Sequence, residues 1–393
     1  FCLSRGLGDV YKRQGPDGLS AASLRALAAA EVVFGGSRHL GMIDHPQRRA
    51  WPVPFSVEPV LRLRGRKVAV LASGDPFWHG AGGTLTARLD RGEWRAFPAP
   101  SVTALAAARL GWREEETLRL GLHAAPLRSL RRHLAPGLRA IVTLRDGRAA
   151  GELAEWLTGE GFGETRLTLM ERLGGGSERI REATAAEFAL AGIDPLVIAA
   201  IEIAGKGPVI PRCSGVQDGL FDHDGQITKR PIRALALSAL APRHGELLWD
   251  IGAGSGSVGI EWMLCDPTTR CIAIEQDPAR ALRCQSNAAS FGVALEVRTG
   301  AAQDVLATLA DPHAVFVGGG ADDALLHSLW KRLAPGMRLV IHAVTLETEA
   351  LLASWHGVHG GSLLRIELSE ARPLGRKRGW KASYPVVQWS ITR

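Results

Sequence analysis

The stretch LLWDIGAGSGSVGIEW, from Leu247 to Trp262, constrains the fold of this chain more than any other part of the sequence. A strand-like apolar run ends in three glycines at alternate positions, and an apolar helix-like run comes after them. Glycines in a strand-to-helix turn let the backbone approach a nucleotide-type ligand closely, because they carry no side chain. The pattern therefore predicts a parallel α/β sheet with a ligand at this turn, either a dinucleotide or S-adenosylmethionine.

The spacing of the glycines distinguishes these two ligands. A dinucleotide turn has the pattern G-x-G-x-x-G, whereas the third glycine position here is Ser257. Asp250, just before the turn, is unfavourable to a pyrophosphate at the helix N-terminus but compatible with the sulfonium and ammonium groups of S-adenosylmethionine. Glu275, at the end of the next strand, suits ribose hydroxyls in either ligand. The residues predicted to bind S-adenosylmethionine are Gly252, Ala253, Gly254, Ser255, Gly256, Glu275 and Ala302, the last because its small side chain leaves room for adenine.

The periodicity of the chain predicts an α/β fold with two domains. Strand-like and helix-like segments alternate over residues 15–205, which predicts a two-lobed domain with a cleft between the lobes. Residues 206–230 are rich in Gly, Pro and Asp and have no period, so we interpret them as a linker. Residues 231–393 contain five predicted parallel strands, helices between them and an antiparallel hairpin at the end, which is the Rossmann-like layout of a methyltransferase.

The first fourteen residues, FCLSRGLGDVYKRQ, differ in character from the rest of the chain. They contain no apolar core of a signal peptide after the basic residues. They also lack the apolar strand that we expect before the turn GPDG. We therefore interpret residues 1–14 as a non-native segment that stands in the place of a strand.

The composition limits the classes of function. Hydrophobic residues make up 46% and charged residues 22% of the 393 residues, as in ordinary globular proteins. No apolar run approaches the roughly 18 residues that a membrane-spanning helix needs. The net charge of +7 indicates an anionic partner without identifying it. Five cysteines without a CxxC pair argue against a disulfide framework or a zinc site, so we expect no metal and a reducing, cytoplasmic setting.

Longer motifs in both halves resemble known enzyme families. The upstream half carries GPDGLS, AEVVFGGSRHL, LASGDPFWHG, PAPSVTALAAARLGW and MERLGGGSERI, and it resembles the tetrapyrrole methylase family, in particular its C5-methyltransferases. The downstream half carries GQITKRPIRALALSAL, DIGAGSGSVGIEW, AIEQDP, VFVGGG and LAPGMRLVIHAVTLET, and it resembles the decarboxylating C15-methyltransferases of cobalamin biosynthesis. The order of the two halves resembles that of the bifunctional enzymes of the same pathway.

This resemblance implies two methyl transfers, to carbons C5 and C15 of a reduced tetrapyrrole, and loss of carbon dioxide from an acetate side chain. It implies one S-adenosylmethionine in each domain and designates no catalytic residue. In the first domain, the cofactor would contact a strand-end loop formed by Ser73, Gly74, Asp75 and Pro76. Ser101 is a further candidate there, with a helix cap as its alternative role. Thr228 matches a position near the methionine end of the second cofactor, and capping a helix is again the alternative.

A basic segment, ARPLGRKRGWKAS, is the candidate substrate site. Arg376, Arg378 and Lys381 suit the several carboxylates of a reduced tetrapyrrole, because cationic side chains bind carboxylates through charge-assisted hydrogen bonds. A solvated basic loop is the alternative. We expect this polycarboxylate as substrate, a homo-oligomer, and neither nucleic acid nor membrane as a partner. Two other functions stay open: an RNA methyltransferase, although no RNA-binding module is visible, and one catalytic domain joined to a degenerate binding domain.

Overall fold

The computed structural model describes residues 2–4, 19–72, 75–78, 80–97 and 99–393. The chain divides into two compact units. The first unit comprises Phe1–Leu127 with His133–Pro208, and the second comprises Arg128–Arg132 with Val209–Arg393. Each unit is built around sheets of its own.

The first sheet of the first unit is parallel throughout, in the order β3-β2-β4-β1-β5. Its strands are β1 (Cys2–Ser4), β2 (Val32–Gly35), β3 (Arg48–Ala50), β4 (Val68–Leu71) and β5 (Arg95–Phe97). The helices between them are α1 (Ala21–Ala28), α2 (Ser37–Leu40), α3 (Glu58–Leu61) and α4 (Ala81–Thr86). Strands β2 and β4 are buried along their whole length, as expected for parallel strands covered on both faces.

Strand β1 differs from the expectation for the first fourteen residues. Cys2–Ser4 pairs in parallel with both β4 and β5, although we predicted no strand ahead of GPDG. A strand of three residues is too short to show a periodic or apolar signal, which explains the difference. Residues 5–14, and with them the turn GPDG, lie outside the described residues.

The second sheet of the first unit is mixed, in the order β6-β7-β10-β8-β9. Its strands are β6 (Leu118–Gly121), β7 (Arg139–Thr143), β8 (Arg166–Glu171), β9 (Arg179–Thr184) and β10 (Val197–Glu202), accompanied by helices α5 (Val102–Leu110) and α6 (Arg148–Gly159). Strands β6 and β7 are parallel, and the remaining neighbours are antiparallel. The predicted alternation of helices and strands is therefore present, with a separate sheet for each lobe.

The second unit is a seven-stranded sheet in the order β13-β12-β11-β14-β15-β19-β16. Its strands are β11 (Leu247–Ile251), β12 (Arg270–Glu275), β13 (Glu296–Thr299), β14 (Ala314–Val317), β15 (Arg338–Ala343), β16 (Ser362–Ile366) and β19 (Val386–Thr392). Its helices are α7 (Arg230–Leu240), α8 (Ser257–Cys265), α9 (Pro278–Phe291), α10 (Ala302–Leu306), α11 (Asp323–Arg332) and α12 (Leu346–His359). Five strands are parallel, and β19 runs antiparallel between β15 and β16. The predicted Rossmann-like layout with a terminal antiparallel pair is confirmed.

Alternate residues of β11 pack on opposite faces of this sheet. Trp249 lies in the cluster formed with α11 and α12, whereas Leu248 lies in the cluster formed with α7 and α8. Trp249, Trp262 and Trp389 are completely buried, so these three tryptophans are core residues. The central strands are thereby covered on both sides, as their apolar sequences require.

Two segments interpreted as irregular from the sequence are ordered. In the predicted linker, Ile210, Val216 and Phe221 are buried against helices α8 and α9 of the second unit. The basic segment forms a two-stranded antiparallel hairpin, β17 (Ser369–Leu374) and β18 (Lys377–Ala382). Neither segment has the regular spacing of apolar residues from which packing can be predicted.

None of the helices in the described ranges is both long and apolar enough to cross a membrane.

Candidate active site

Two glycine-rich loops meet at the point where the strand order of the second unit reverses. In the sheet, β11 lies between β12 and β14. The chain continues from β11 towards β12 and from β14 towards β15, so the loops after β11 and β14 leave the same edge of the sheet in opposite directions. The Gly318 nitrogen donates to the Ile251 carbonyl oxygen at 2.9 Å. A Cβ atom on Gly318 would lie 3.1 Å from the Gly252 oxygen, so the two backbones are in close contact. Open α/β sheets bind their ligands in the crevice at such a position.

The loop after β11, residues 252–256, requires glycine at three positions. Gly252, Gly254 and Gly256 have φ angles of 69°, 57° and 75°, a left-handed conformation that residues with side chains rarely adopt. A Cβ atom on Gly256 would also collide with the buried sulfur of Cys284. We call residues 252–256 the glycine loop. The Gln226 oxygen lies 3.8 Å from the Cβ position of Gly254, an ordinary contact, so a small side chain would fit at this position without a collision.

Glu275 lies at the end of β12, beside the glycine loop. Its Oε2 atom accepts a hydrogen bond from the Gly254 nitrogen at 2.8 Å, and its Oε1 atom accepts one from the Asp277 nitrogen at 3.0 Å. The Glu275 carboxylate is thus held in one orientation at the crevice. Each oxygen retains a second lone pair, which is what binding of two ribose hydroxyls needs.

Asp250 is enclosed between β11 and the start of α8, whereas the sequence indicated a carboxylate available to a ligand. Its side chain is completely buried, and its Oδ2 atom accepts a hydrogen bond from the Gly259 nitrogen in the first turn of α8 at 2.9 Å. Burial raises the pKa of Asp250 to about 7, the hydrogen bond from Gly259 lowers this pKa, and the charge of Glu275 raises it. The strand alternation of β11 directs Asp250 towards α8, and the sequence pattern alone does not fix this face.

The other predicted residues of the second site lie around the same crevice. Ser255 is buried, and its carbonyl oxygen accepts from the Asn287 side chain at 2.8 Å. Ala302 begins α10. In the turn before it, the Gly300 nitrogen donates to the main-chain carbonyl oxygen of Glu275 at 3.0 Å. Thr228 is half-buried ahead of α7, whose N-cap residue is Lys229. Thr228 therefore does not cap this helix, and the alternative role considered for it is wrong.

In the first unit, Ser73 and Gly74 lie outside the described residues, whereas Asp75 and Pro76 form a tight turn after β4. The Asp75 Oδ1 atom accepts from the Phe77 nitrogen at 2.9 Å, and the Pro76 oxygen accepts from the Gly82 nitrogen at 2.8 Å. A Cβ atom on Gly82 would collide with Pro76, so this glycine allows the close packing of the turn on α4.

Ser101 occupies the N-cap position of α5. Its hydroxyl oxygen accepts from the Ala104 nitrogen at 3.1 Å and lies 2.8 Å from the Thr103 hydroxyl. The helix-cap role that the sequence offered as the alternative for Ser101 is therefore the one that its contacts describe. Contact between Ser101 and the cofactor stays a prediction.

The cationic side chains of the basic hairpin are exposed to solvent. Arg376 lies in the turn, and Arg378 and Lys381 lie on β18, all three exposed. Trp380, between these cations, is 79% exposed, which excludes it from the core. Strands β17 and β18 pair with each other and with no other strand of the described ranges. The glycine loop and the hairpin are thus two separate features of the second unit.

The comparisons with known proteins cover both units. Residues 14–189 match the model for tetrapyrrole (corrin/porphyrin) methylases, and residues 219–393 match the model for the precorrin methyltransferase domain. A precorrin-6Y C(5,15)-methyltransferase (decarboxylating) from Sinorhizobium sp is 47% identical over 96% of this chain and 94% of its own length. This chain belongs to the precorrin-6Y C(5,15)-methyltransferase (decarboxylating) family.

The chain is also similar to two other proteins with this name. The protein of this name from Mycobacterium tuberculosis is 39% identical over 96% of this chain and 97% of its own length. The crystal structure of the C-terminal domain from Rhodobacter capsulatus shares 52% identity, covers 47% of this chain and 100% of its own, and has a TM-score of 0.46. The resemblance indicated by the motifs is confirmed for both halves, and the chain is a methyltransferase.

Three buried polar residues near the glycine loop were not predicted from the sequence. Arg233, Glu261 and Asn287 are at most 3% exposed and lie on helices α7, α8 and α9 around the glycine loop. A charged residue inside an apolar helix is the signal that could have revealed the first two, since such residues are buried only when paired. Asn287 gives no comparable signal, because its helix is polar overall.

Proposed function

We propose that this enzyme uses S-adenosylmethionine to methylate precorrin-6Y at carbons C5 and C15 and to release an acetate carboxyl group as carbon dioxide. The first domain, predicted over residues 15–205, would act at C5, and the second, predicted over residues 231–393, at C15. One observation carries the proposal: the glycine loop meets the loop after β14 where the strand order reverses, and Glu275 is held beside them. The names of the relatives provide the substrate and the two positions.

The second unit fits one molecule of S-adenosylmethionine. The bare backbone at Gly254 admits an amino acid tail, and the Glu275 carboxylate has lone pairs for the ribose hydroxyls. Ala253, Ser255, Thr228 and Ala302 complete the proposed lining. The bound cofactor supplies a methyl group already activated by its sulfonium. We propose a second molecule in the first domain, at Ser73 to Pro76 and Ser101.

The protein's task is to align substrate with cofactor and to exclude water, because a ring carbon conjugated to nitrogen is itself nucleophilic. Each methyl transfer releases one proton from the ring system, and we designate no acid–base or nucleophilic residue for this transfer. The glycine loop serves this alignment, since its backbone is held by hydrogen bonds to Glu275 and Asn287. Loss of carbon dioxide leaves an electron pair on the former acetate carbon. The conjugated ring delocalises this pair, and a proton taken up at that carbon completes the step.

The basic hairpin is the proposed contact for the substrate carboxylates. Arg376, Arg378 and Lys381 present three cations that the structure leaves in solvent, and Trp380 offers a flat apolar face between them. Ion pairs at such exposed positions are screened by salt. The proposal therefore requires a salt-dependent Michaelis constant for the tetrapyrrole.

The cytoplasmic setting and the homo-oligomeric state also remain proposals. The cysteines Cys213, Cys265, Cys271 and Cys284 are all free, which suits a reducing compartment. Light scattering of the purified chain would measure its oligomeric state directly.

Mass spectrometry of the product tests the proposed reaction. The purified chain is incubated with precorrin-6Y and methyl-labelled S-adenosylmethionine, and the labelled methyl groups and the loss of carbon dioxide are counted. We expect two labels and one decarboxylation for each ring. One label would leave one domain without activity and support a degenerate domain, and tight, salt-sensitive binding of tRNA instead of precorrin would support the RNA alternative.

A further inference from the structure

One buried guanidinium fixes both ends of a loop that lies against the glycine loop. Arg233, on α7, has no solvent-exposed surface, and it donates hydrogen bonds to the carbonyl oxygens of Val216 and Thr228. We call residues 216–228 the clasp loop. The two carbonyls are at its ends, so a single side chain closes it. A buried charge is tolerated at modest cost only when its donors are paired, which makes this geometry specific.

Glu261, on α8, completes the anchor. Its Oε1 atom accepts from Arg233 Nε at 2.5 Å and from the Val216 nitrogen at 2.8 Å, and its Oε2 atom accepts from the Gly215 nitrogen at 2.7 Å. Asp218, inside the clasp loop, accepts from Arg233 Nη1 at 3.0 Å. Two helices of the second unit thus hold the loop through one ionic network.

Asn287, on α9, joins the clasp loop to the glycine loop. Its Oδ1 atom accepts from the Asp222 nitrogen at 2.8 Å, while Nδ2 donates to the Asp222 oxygen at 2.9 Å and to the Ser255 oxygen at 2.8 Å. Close to these bonds, the Gln226 oxygen lies 3.8 Å from the Cβ position of Gly254. The clasp loop therefore lies next to Gly254, and Asn287 links it to Ser255 of the glycine loop.

We propose that Arg233, Glu261 and Asn287 are positioning residues of the second cofactor site. They hold the clasp loop as a preformed wall beside the glycine loop, and this wall raises the affinity for S-adenosylmethionine. A wall that is ordered before binding removes an entropic cost from the binding step. The inference rests on the proposed function of the glycine loop.

Binding of S-adenosylhomocysteine to the full chain, measured by calorimetry, tests the positioning role in Arg233→Met and Asn287→Ala. The matched control is Arg338→Met, because Arg338 is also a buried arginine of this unit. It donates to the Leu240 oxygen at 2.6 Å and pairs with Glu246 next to the start of β11, at the edge of the sheet away from the glycine loop.

We expect the two test variants to weaken one binding site by about 10-fold to 100-fold, the range for a displaced positioning group. The Michaelis constant for S-adenosylmethionine in C15 methylation should rise by a similar factor, with a smaller change in kcat. Arg338→Met should lower the thermal midpoint yet keep the wild-type affinity. Methylation at C5 by the same chain provides the internal control.

Wild-type affinity in Asn287→Ala would overturn the inference, as would an equal loss of affinity in Arg338→Met. Should Arg233→Met not fold, Asn287→Asp decides the matter. It keeps the acceptor for the Asp222 nitrogen and removes both donor bonds, to the Asp222 and Ser255 oxygens, so it should bind S-adenosylhomocysteine weakly. If Gly254→Val bound S-adenosylhomocysteine as tightly as the wild-type chain does, this result would instead contradict the proposed function of the glycine loop.

Discussion

Adding a single methyl group at Gly256 should damage the second unit far more than adding it at Gly254. Both glycines are left-handed, with φ of 75° and 57°, so alanine at either position costs about 1–2 kcal/mol in backbone strain. At Gly254 the nearest atom to the new Cβ is 3.8 Å away, which is an ordinary contact. At Gly256 the new Cβ collides with the sulfur of Cys284, and overpacking of this kind adds about 1–3 kcal/mol. We expect Gly256→Ala to lose about 2–5 kcal/mol of unfolding free energy.

Cys284→Ala should rescue this variant. Without the sulfur, the nearest remaining atoms to the Gly256→Ala Cβ are the Cys284 Cβ and Ile260 Cδ1, each 3.5 Å away, so the collision is removed and the backbone strain remains. The double variant should therefore lose less stability than the sum of the two single variants, with a coupling of about 1–3 kcal/mol. The gain from a less flexible unfolded chain is common to both Gly→Ala changes and cancels in their comparison.

Urea unfolding of the full chain is monitored by hydrogen exchange in peptides from β11. This readout measures the stability of the second unit separately from that of the first. Gly254→Ala is the control for backbone strain. Equal destabilisation of Gly254→Ala and Gly256→Ala, or additivity of Gly256→Ala with Cys284→Ala, would refute the steric argument.

Further predictions concern the two sites, the buried acid and the hairpin. Gly254→Val should abolish C15 methylation together with decarboxylation and spare C5, because its branched side chain fills the crevice; retained decarboxylation would show that the two steps are not coupled. Asp75→Ala should impair C5 methylation alone, since it removes the acceptor of the turn at Phe77; a parallel loss at C15 would contradict two separate sites. Mass spectrometry of the product reads out both. The pKa of Asp250 is raised from 3.8 to about 7 in the folded protein, so the folded state keeps a proton that the unfolded state releases, and stability should fall as pH rises from about 4 to about 7. Asp250→Asn should lack this fall in urea unfolding at several pH values, whereas an unchanged slope would exclude Asp250 as its source. Arg376→Glu combined with Arg378→Glu should raise the Michaelis constant for the tetrapyrrole and reduce its salt dependence; initial rates that match wild type at every salt concentration would assign the hairpin another role.

The sequence predicted the parts of the fold that depend on continuous apolar runs and on glycine conformation. Strands β11, β12, β14 and β15 are buried on both faces, so their position could be predicted almost to the residue. The left-handed glycines are equally visible, because no other residue type fits such a turn without strain. These two features place the candidate site at the carboxyl edge of the sheet.

Long-range pairing of polar groups could not be predicted. Arg233 and Glu261 are 28 positions apart in sequence, and Asn287 reaches Asp222 across 65 positions. The orientation of Asp250 depends on which face of β11 receives α8, a choice made by the packing of the whole sheet. For the same reason, the predicted linker showed no sign of its contacts with α8 and α9.

The insertion of β19 between β15 and β16 has a consequence for synthesis of the chain. Residues 338–343 pair with residues 387–392, so the apolar strand β15 keeps an open edge until the ribosome has released the chain to residue 392. An open edge on a buried-type strand is a template for pairing with another chain. Translation that stalls after β15 should therefore leave a nascent chain prone to aggregation, and a chaperone that covers this edge would protect it.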